Sequence, residues 1–273
     1  ILFDWNNWWA LELSSGPSKD MDYLKTAAKY YRAFYEKNIP VDILSTDAPL
    51  SGYSLIVAPM LYMMKEGVAE RITEFVRNGG TFAATTMSGL VDENDRCIFG
   101  EYPGKLKEVL GIRVEETDAL RPEESNRMVL NGSFPLPEGR YSCGFLCDIL
   151  HTETARTLAC YESDFYSGSP CLTENRFGQG RAYYIGTEPE DAFLSDFFGR
   201  LCQETQIFPL YQAASGVEIT NRVSQKASVV FVLNHNRQEA WADFGSDRLK
   251  NYQTGEILTG LLSFAPWDVL VLE

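Results

Sequence analysis

The first hundred residues alternate short apolar segments with segments of helical periodicity, and this alternation restricts the possible fold more than any other feature of the sequence. Four apolar, β-prone segments are predicted to be strands: residues 1–5, 41–44, 54–58 and 81–85. Residues 21–37 and 68–77 carry apolar side chains at helical spacing, and Asn78-Gly79-Gly80 should end the second helix, because glycine accepts the left-handed cap. Strands that are apolar throughout and joined by helices indicate a parallel sheet buried on both faces. We therefore expect a doubly wound α/β domain with a mostly parallel sheet.

Beyond residue 100 the predicted strands are separated by Gly, Pro and Asn turns. These strands cover residues 113–116, 127–130, 155–161 and 182–185, with helices over 104–110 and 191–206. Four further segments have the pattern of antiparallel strands: residues 217–222, 228–233, 240–244 and 268–272. A boundary is expected near residues 207–215, where Pro209 and small residues follow the last helix. The sequence thus predicts an α/β domain over residues 1–208 and a small antiparallel β domain over residues 209–273.

Charge and hydropathy exclude several classes of partner. The formal net charge is −14, from 38 acidic against 24 basic side chains, and no Lys/Arg cluster offsets it. Such a chain repels phosphate backbones and anionic bilayers, so neither nucleic acid nor a membrane is expected as a partner. The best apolar run, residues 55–64, is interrupted by Pro59 and is shorter than the roughly 20 residues that span a bilayer. Because the chain starts at Ile1 within a predicted strand, without a signal-peptide pattern, we expect it to be a piece of a longer protein.

The six cysteines form no CxxC pair and have no histidine at metal-ligand spacing. Several lie within apolar runs, which favours free, mostly buried thiols, no metal site and a reducing, cytoplasmic location. A disulfide within residues 143–171 is the alternative.

No set of residues with the spacing of a catalytic or cofactor site can be assembled. Neither GxGxxG nor GxxxxGK[ST] occurs, so no nucleotide cofactor is expected. A nucleophile elbow would fall near Met87-Ser88-Gly89, which lacks cysteine and has glycine on one side only. His151 and His235 are the only histidines that could act as a base, and no nucleophile can be assigned to either. The acidic residues near predicted strand ends show no paired spacing: Asp4, Glu12, Asp92, Glu93 and Asp95. We expect no catalytic residue in this chain.

The segment from Asp4 to Glu12 is the most unusual one, because it holds three of the five tryptophans beside acids and amides. It is expected to follow the first strand at the carboxyl edge of the sheet, where open α/β sheets place functional loops. Such aromatics can stack on sugars, anchor an interface or plug the end of a sheet. The candidate interface or active-site-mouth residues are Asp4, Trp5, Asn7, Trp8 and Trp9.

These residues open a series of motifs that runs through the chain in order. The first group is Phe3-Asp4-Trp5-Asn6-Asn7-Trp8-Trp9-Ala10-Leu11-Glu12, Ser51-Gly52-Tyr53, Val57-Ala58-Pro59-Met60-Leu61-Tyr62, Asn78-Gly79-Gly80-Thr81 and the segment 88–95. Then come Tyr102-Pro103-Gly104, Leu110-Gly111-Ile112 and Phe177-Gly178-Gln179-Gly180-Arg181-Ala182-Tyr183-Tyr184, and in the tail Gly216-Val217-Glu218, Phe231-Val232-Leu233-Asn234-His235 and residues 262–272. Over nearly its whole length the chain resembles the middle and C-terminal domains of the glycoside hydrolase family 42 β-galactosidases.

The resemblance implies a middle domain that is flavodoxin-like and similar in fold to class I glutamine amidotransferases, without their Cys/His site, followed by a small β domain. It also implies an N-terminal catalytic (β/α)₈ barrel as the partner of this chain, and assembly as a trimer. The two catalytic glutamates belong to that barrel and map onto no residue of this sequence.

Three hypotheses are compatible with these features. The first is a non-catalytic segment that supports oligomerisation and shapes the active-site mouth of a β-galactosidase. The others are an amidotransferase-like hydrolase and a stand-alone carbohydrate-binding module that uses Trp5, Trp8 and Trp9.

Overall fold

The computed structural model describes residues 1–14, 16–225 and 227–273. The chain divides into two compact units, one made of residues 1–30 and 42–205 and the other of residues 31–41 and 206–273. The α-helices are α1 (Trp5–Leu13), α2 (Tyr23–Tyr35), α3 (Val68–Arg77), α4 (Lys107–Leu110) and α5 (Asp191–Glu204), and a 3₁₀ turn covers Gly104–Leu106.

The first unit is built on a nine-stranded sheet. Its strands are β1 (Leu55–Ala58), β2 (Thr81–Thr85), β3 (Ile112–Ala119), β4 (Asn126–Leu130), β5 (Arg140–Thr152), β6 (Arg156–Tyr161), β7 (Pro170–Phe177), β8 (Gly180–Ile185) and β9 (Thr187–Pro189). Their order is β1-β2-β8-β7-β6-β4-β5-β3, with β9 beside β5. The α/β class predicted for this part of the chain is therefore confirmed.

The prediction that the sheet is mostly parallel was wrong. Only β1–β2 and β2–β8 pair in parallel, and every other pairing of named strands is antiparallel. The physical reason is the connections: residues 112–189 contain no helix, and antiparallel strands can be joined by short turns whereas parallel strands need a long crossover. The sheet is a mixed one, parallel on one side and antiparallel on the other.

The structure also corrects the first two predicted strands. Residues 1–5 and 41–44 form no named strand; they pair through an isolated parallel bridge between Leu2 and Leu44, and the Ile1 amino group donates to Asp42 O (2.8 Å). Leu2 N–H donates to Val57 O (2.8 Å), so the first residues still extend the parallel side of the sheet. Trp5 is already helical, because the residue before it caps a helix.

The helix α3 shows how local sequence places the parallel strands. Its buried side chains, Val68, Ala69, Ile72 and Val76, recur at helical spacing and pack in the main core of this unit. The predicted stop at Asn78-Gly79-Gly80 is confirmed: Gly79 has φ 107°, and its N–H donates to Val76 O (3.0 Å). The chain then enters β2, all five residues of which are buried.

Beyond residue 206, all the regular secondary structure in the described residues of the second unit is β-strand. The strands are β10 (Gln212–Ala213), β11 (Val217–Val223), β12 (Ser228–Asn234), β13 (Ala240–Asp243), β14 (Leu249–Lys250), β15 (Ile257–Leu258), β16 (Leu261–Phe264) and β17 (Val269–Leu272). They form the sheets β10-β13-β16, β11-β12-β17 and β14-β15, all antiparallel. Alternate side chains of these strands form a separate core around Val232, Ala242 and Phe244. The small all-β C-terminal part predicted from sequence is confirmed.

Across the parts of the chain that the structure describes, none of the helices has the length and apolar character needed to cross a membrane.

Candidate functional site

The candidate site is organised by Asp4, which caps the amino end of α1. Asp4 has an extended backbone (φ −138°, ψ 128°), and its Oδ1 accepts from the backbone N–H groups of Asn6 (2.9 Å) and Asn7 (3.1 Å). These are donors that the first turn of a helix leaves without a partner. The aromatic segment therefore forms a helix, where the sequence led us to expect a loop at the edge of the sheet.

The second oxygen of Asp4 fixes the start of α1 to two other segments. Its Oδ2 accepts from Lys65 Nζ (2.6 Å) and from the Thr46 hydroxyl (2.9 Å). Burial opposes ionisation of this carboxyl, but the hydrogen bonds from Lys65, Asn7 and Thr46 outweigh burial, and the pKa of Asp4 lies below its ordinary value. Asp4 thus positions α1 as an ionised, buried cap.

Asn7 is fully buried and attaches the first turn of α1 to the segment after β1. Its side-chain Nδ2 donates to Met60 O (3.0 Å), and its Oδ1 accepts from Met63 N–H (2.8 Å). Both ends of the amide are therefore used inside the protein. Asn7, like Asp4, holds the helix in place and does not face solvent.

Two of the three tryptophans are exposed on one face of α1. Trp5 is 58% exposed and Trp9 56%, and Leu13, one turn further on, is 85% exposed. Residues four apart lie on the same helix face, so these side chains form a continuous apolar strip, which we call the α1 strip. The sequence did not point to Leu13, whose place in the strip is evident only once α1 is known to be a helix.

Trp8 lies between the strip and the interior. It is half-buried, its Nε1 donates to Glu12 Oε1 (3.1 Å), and its ring lies 5.5 Å from that of Trp5. It packs against a cluster that contains the buried side chains of Met21, Met60, Met63 and Met87. Trp8 therefore packs against Trp5 and also contributes to the core.

The elbow after β2 keeps an unusual backbone but has no nucleophilic side chain. Met87 occupies the left-handed region (φ 64°) and is buried. The neighbouring Ser88 is also buried, and its hydroxyl donates to Thr85 O (2.7 Å) and accepts from Leu61 N–H (3.2 Å). A thioether cannot attack a carbonyl group as a thiolate does, and the serine hydroxyl is occupied by backbone groups.

Asp148 is the most perturbed carboxyl group of the first unit. It is fully buried on β5 and accepts from the hydroxyls of Thr117 (2.6 Å), Tyr184 (2.7 Å) and Thr86 (2.9 Å). Burial raises the pKa of Asp148 to about 6, although the three hydrogen bonds act in the opposite direction. Because the side chain has no exposed surface, it cannot reach a substrate, and its role is internal.

The two histidines are surface residues with carboxylate partners. His151 contacts Glu115, and His235 Nε2 lies 2.9 Å from Glu218 Oε2. Neither is paired with a serine or cysteine in the hydrogen bonds of the described residues. Within the same residues, no group of three His, Cys, Asp or Glu side chains could hold a metal ion.

Comparison with known proteins gives the family of both units. The family model of the β-galactosidase trimerisation domain matches residues 1–208, and that of the β-galactosidase C-terminal domain matches residues 216–273. β-Galactosidase BgaA from Planococcus sp. (strain 'SOS Orange') is 46% identical over 272 residues, which cover 100% of this chain and 40% of BgaA. β-Galactosidase Pbg from Clostridium perfringens is 40% identical over 277 residues, with the same coverage of each chain. The chain thus spans about 40% of the length of the curated relatives it matches.

Solved structures agree with this assignment. The crystal structure of the β-galactosidase from Bacillus circulans sp. alkalophilus has a TM-score of 0.97 and 44% identity, over 99% of this chain and 40% of that one. The β-galactosidase from Rahnella sp. R3 has a TM-score of 0.92 and 36% identity, over 100% of this chain and 40% of that one. These matches do not favour an amidotransferase-like hydrolase or a stand-alone carbohydrate-binding module. The chain belongs to the glycoside hydrolase family 42 β-galactosidases and comprises their trimerisation and C-terminal domains.

Proposed function

We propose that this chain is the assembly portion of a β-galactosidase that hydrolyses terminal β-D-galactosides. Its first unit supports a homotrimer and, through the α1 strip, shapes the mouth of an active site on the protein's own (β/α)₈ barrel. The observation that carries this proposal is the exposed strip of Trp5, Trp9 and Leu13 on a helix anchored at Asp4 and Asn7.

The α1 strip has the properties of an interface anchor. Tryptophan is enriched among the residues that dominate binding energy, and burying one such ring contributes on the order of 2 kcal/mol at about 25 cal/mol per Å². The strip is also preorganised, since the side chains of Asp4 and Asn7 hold the start of α1 through six hydrogen bonds, with Asn6, Asn7, Thr46, Lys65, Met60 and Met63. A rigid aromatic face loses little entropy when a partner covers it.

The chain by itself is proposed to be non-catalytic. Hydrolysis of a glycoside needs two carboxyl groups at matched separation in contact with the sugar. The most perturbed carboxyl of the first unit, Asp148, is sealed in the core, and the elbow carries Met87. We propose that the catalytic pair belongs to the part of the whole protein that this chain does not span.

We also propose a fold type for the first unit and a position for its C-terminal boundary. The flavodoxin-like, glutamine-amidotransferase-like description of this unit is supported by its parallel strands β1, β2 and β8 and by the left-handed elbow at Met87. A domain boundary between residues 208 and 209 is supported by the end of α5 at Glu204 and by the purely β character of the chain beyond residue 209.

The test is to replace Trp9 with Ala in the full-length protein and to measure its mass in solution, galactoside turnover and thermal stability. Loss of the trimer or a raised KM, with the melting temperature of the first unit kept, is the expected result. Trp267→Ala is the matched control, because Trp267 is 60% exposed and lies in the second unit. The proposal is wrong if Trp9→Ala lowers only the melting temperature, or if it has the same small effect as the control.

A further inference from the structure

The two ends of α1 differ in how their charges are balanced. At the amino end the buried carboxylate of Asp4 is paired with Lys65 (2.6 Å). The last turn of α1 carries no basic side chain, although the carboxyl end of a helix is partially negative and is stabilised by a cation. Glu12, in that last turn, adds an exposed carboxylate, which accepts from Trp8 Nε1 (3.1 Å). The carboxyl end of α1 is therefore electronegative.

A second acidic segment, residues 92–95, lies beside this end of the helix. The segment before it packs under α1 together with Tyr62, whose carbonyl oxygen accepts from Leu90 N–H (3.0 Å). The hydroxyl of the buried Tyr62 interacts with both Ser14, the C-cap of α1, and Asp95. Burial raises the pKa of Tyr62, and the carboxylate of Asp95 contributes to the rise. Asp95 therefore adds negative charge where α1 ends.

The basic residues that lie nearest in the chain do not offset these carboxylates. Arg96 is paired with Asp92 (2.7 Å), and Lys19 is followed directly by Asp20. Three carboxylates form no ion pair within the described residues: Glu12, Glu93 and Asp95. The α1 strip is thus bordered at its carboxyl end by negative charge that the first unit leaves uncompensated.

This charge restricts what can cover the strip. A second copy of this chain has the same formal net charge of −14 and would bring more negative charge to a negative border, which opposes binding. A basic surface is favoured instead, because it pairs the free carboxylates and complements the helix end, and its cations can lie on the face of Trp9. The chain spans about 40% of the length of its curated relatives, so most of the whole protein lies outside it and can supply such a surface.

On the basis of the proposed function, we propose that the α1 strip is covered by a basic surface of the catalytic barrel of the same protein. A lysine or arginine side chain of that surface lies at the carboxyl end of α1, against Glu12 and Asp95. The apolar contacts of Trp5, Trp9 and Leu13 supply most of the affinity, and the charges fix the orientation. The contact therefore has an apolar part that salt does not weaken and an ionic part that salt screens.

The test uses the full-length protein and the readouts given above for Trp9→Ala, the mass in solution and the KM for a galactoside, at about 0.05 and 0.5 M NaCl. The variant combines Glu12→Gln with Asp95→Asn, which remove charge and keep shape. The Gln carbonyl can still accept from Trp8 Nε1, and Asn tolerates the left-handed backbone of Asp95 (φ 58°). The matched control combines Glu74→Gln with Glu108→Gln and removes two exposed charges from α3 and α4.

We expect Trp9→Ala to weaken the contact at both salt concentrations. The double variant of Glu12 and Asp95 should raise the concentration at which the trimer dissociates, or the KM, about tenfold at low salt and by less than about twofold at high salt, because salt screens charges at a rim. The control should change neither readout, and the melting temperature of the first unit should stay the same in both double variants.

The inference is overturned if the double variant behaves as the control does, if its effect is as large at high salt as at low salt, or if removing the two charges strengthens the contact, which would indicate an acidic partner. These failures differ from that of the proposed function. A change with Trp9→Ala and none with the double variant leaves the strip as an interface and makes only the basic partner wrong. If Trp9→Ala changes neither readout, the strip is not an interface and both proposals fail.

Discussion

Replacing Asp148 with Asn should change how the stability of the first unit depends on pH. The carboxyl is fully buried, and its pKa is raised to about 6 from an ordinary value of 3.8. Asparagine is a close replacement here. Thr86 and Thr117 both donate to Oδ1, which the amide keeps, and the Tyr184 hydroxyl can rotate to accept from the new Nδ2.

Whether stability rises or falls with pH depends on which state, folded or unfolded, binds more protons. Between pH 3.8 and 6 the folded protein holds a proton on Asp148 that the unfolded chain has already released. This group therefore destabilises the fold progressively as pH rises through that window, and the cost is complete above pH 6. A gap of about two pH units corresponds to about 3 kcal/mol, since each unit is worth about 1.4 kcal/mol. The variant has no ionisable group at this position and avoids the cost.

The assay is urea unfolding at pH 5, 6, 7 and 8, followed by tryptophan fluorescence. Trp241 and Trp267 are changed to Phe in both proteins, so that the signal comes from the first unit alone. The free energy of unfolding of Asp148→Asn, relative to its parent, should rise by about 1.5 kcal/mol between pH 5 and 8, about half of the full effect. If the free energy of unfolding changes with pH by the same amount in both proteins, the reasoning is refuted, because Asp148 then does not titrate in this window.

Three further outcomes are expected. The purified chain should not hydrolyse a chromogenic β-galactoside, and turnover that persists through repurification and is abolished by changing one of its acidic residues would contradict this. Denaturing titration without reductant should find six free thiols per chain, since all six cysteines are free in the structure; fewer would indicate a disulfide and argue against the predicted cytoplasmic location. Asp4→Ala should destabilise the first unit by roughly 1–2 kcal/mol, because it removes the cap of α1 and the partner of Lys65. Asp4→Asn should recover part of this loss. Equal urea midpoints for Asp4→Ala and the original chain would show that the cap contributes nothing.

The parts of the fold that the sequence predicted well are those whose stabilising pattern is local. The helix α3 has regular apolar spacing and a glycine stop, and β11 and β12 alternate buried and outward side chains, so a short window of sequence suffices for each. The long strand β5 was missed because its alternation breaks in the middle. A bulge between Gly144 and Cys147, with Phe145 at φ 57°, shifts the side chains to the other face. A strand with such a shift does not keep the two-residue alternation of buried and exposed side chains by which a strand is recognised in a sequence.

The helix α1 was missed for a different reason. Tryptophan and asparagine are mediocre helix formers, so the segment Trp5-Asn6-Asn7-Trp8-Trp9 does not suggest a helix by propensity. Its helical state depends on long-range contacts that the sequence does not reveal, from Lys65 and Thr46 to Asp4 and from Asn7 to Met60. The one local signal was Asp4 itself, an N-cap residue directly before the segment.

These contacts explain why the carboxyl edge of the parallel strands presents a helix where related architectures present a ligand site. Open α/β sheets bind ligands at that edge because loops and strand ends leave a crevice there. Here the edge is filled by Met60, Met87 and Phe145, all three with left-handed backbones, and a further methionine, Met63, packs beside them under α1. Flexible methionine side chains fill irregular space well, so they close a crevice without needing a matched partner. With the crevice closed, the outermost groups at this edge are Trp5, Trp9 and Leu13, and the edge presents a rigid apolar surface, the one that we propose as an interface.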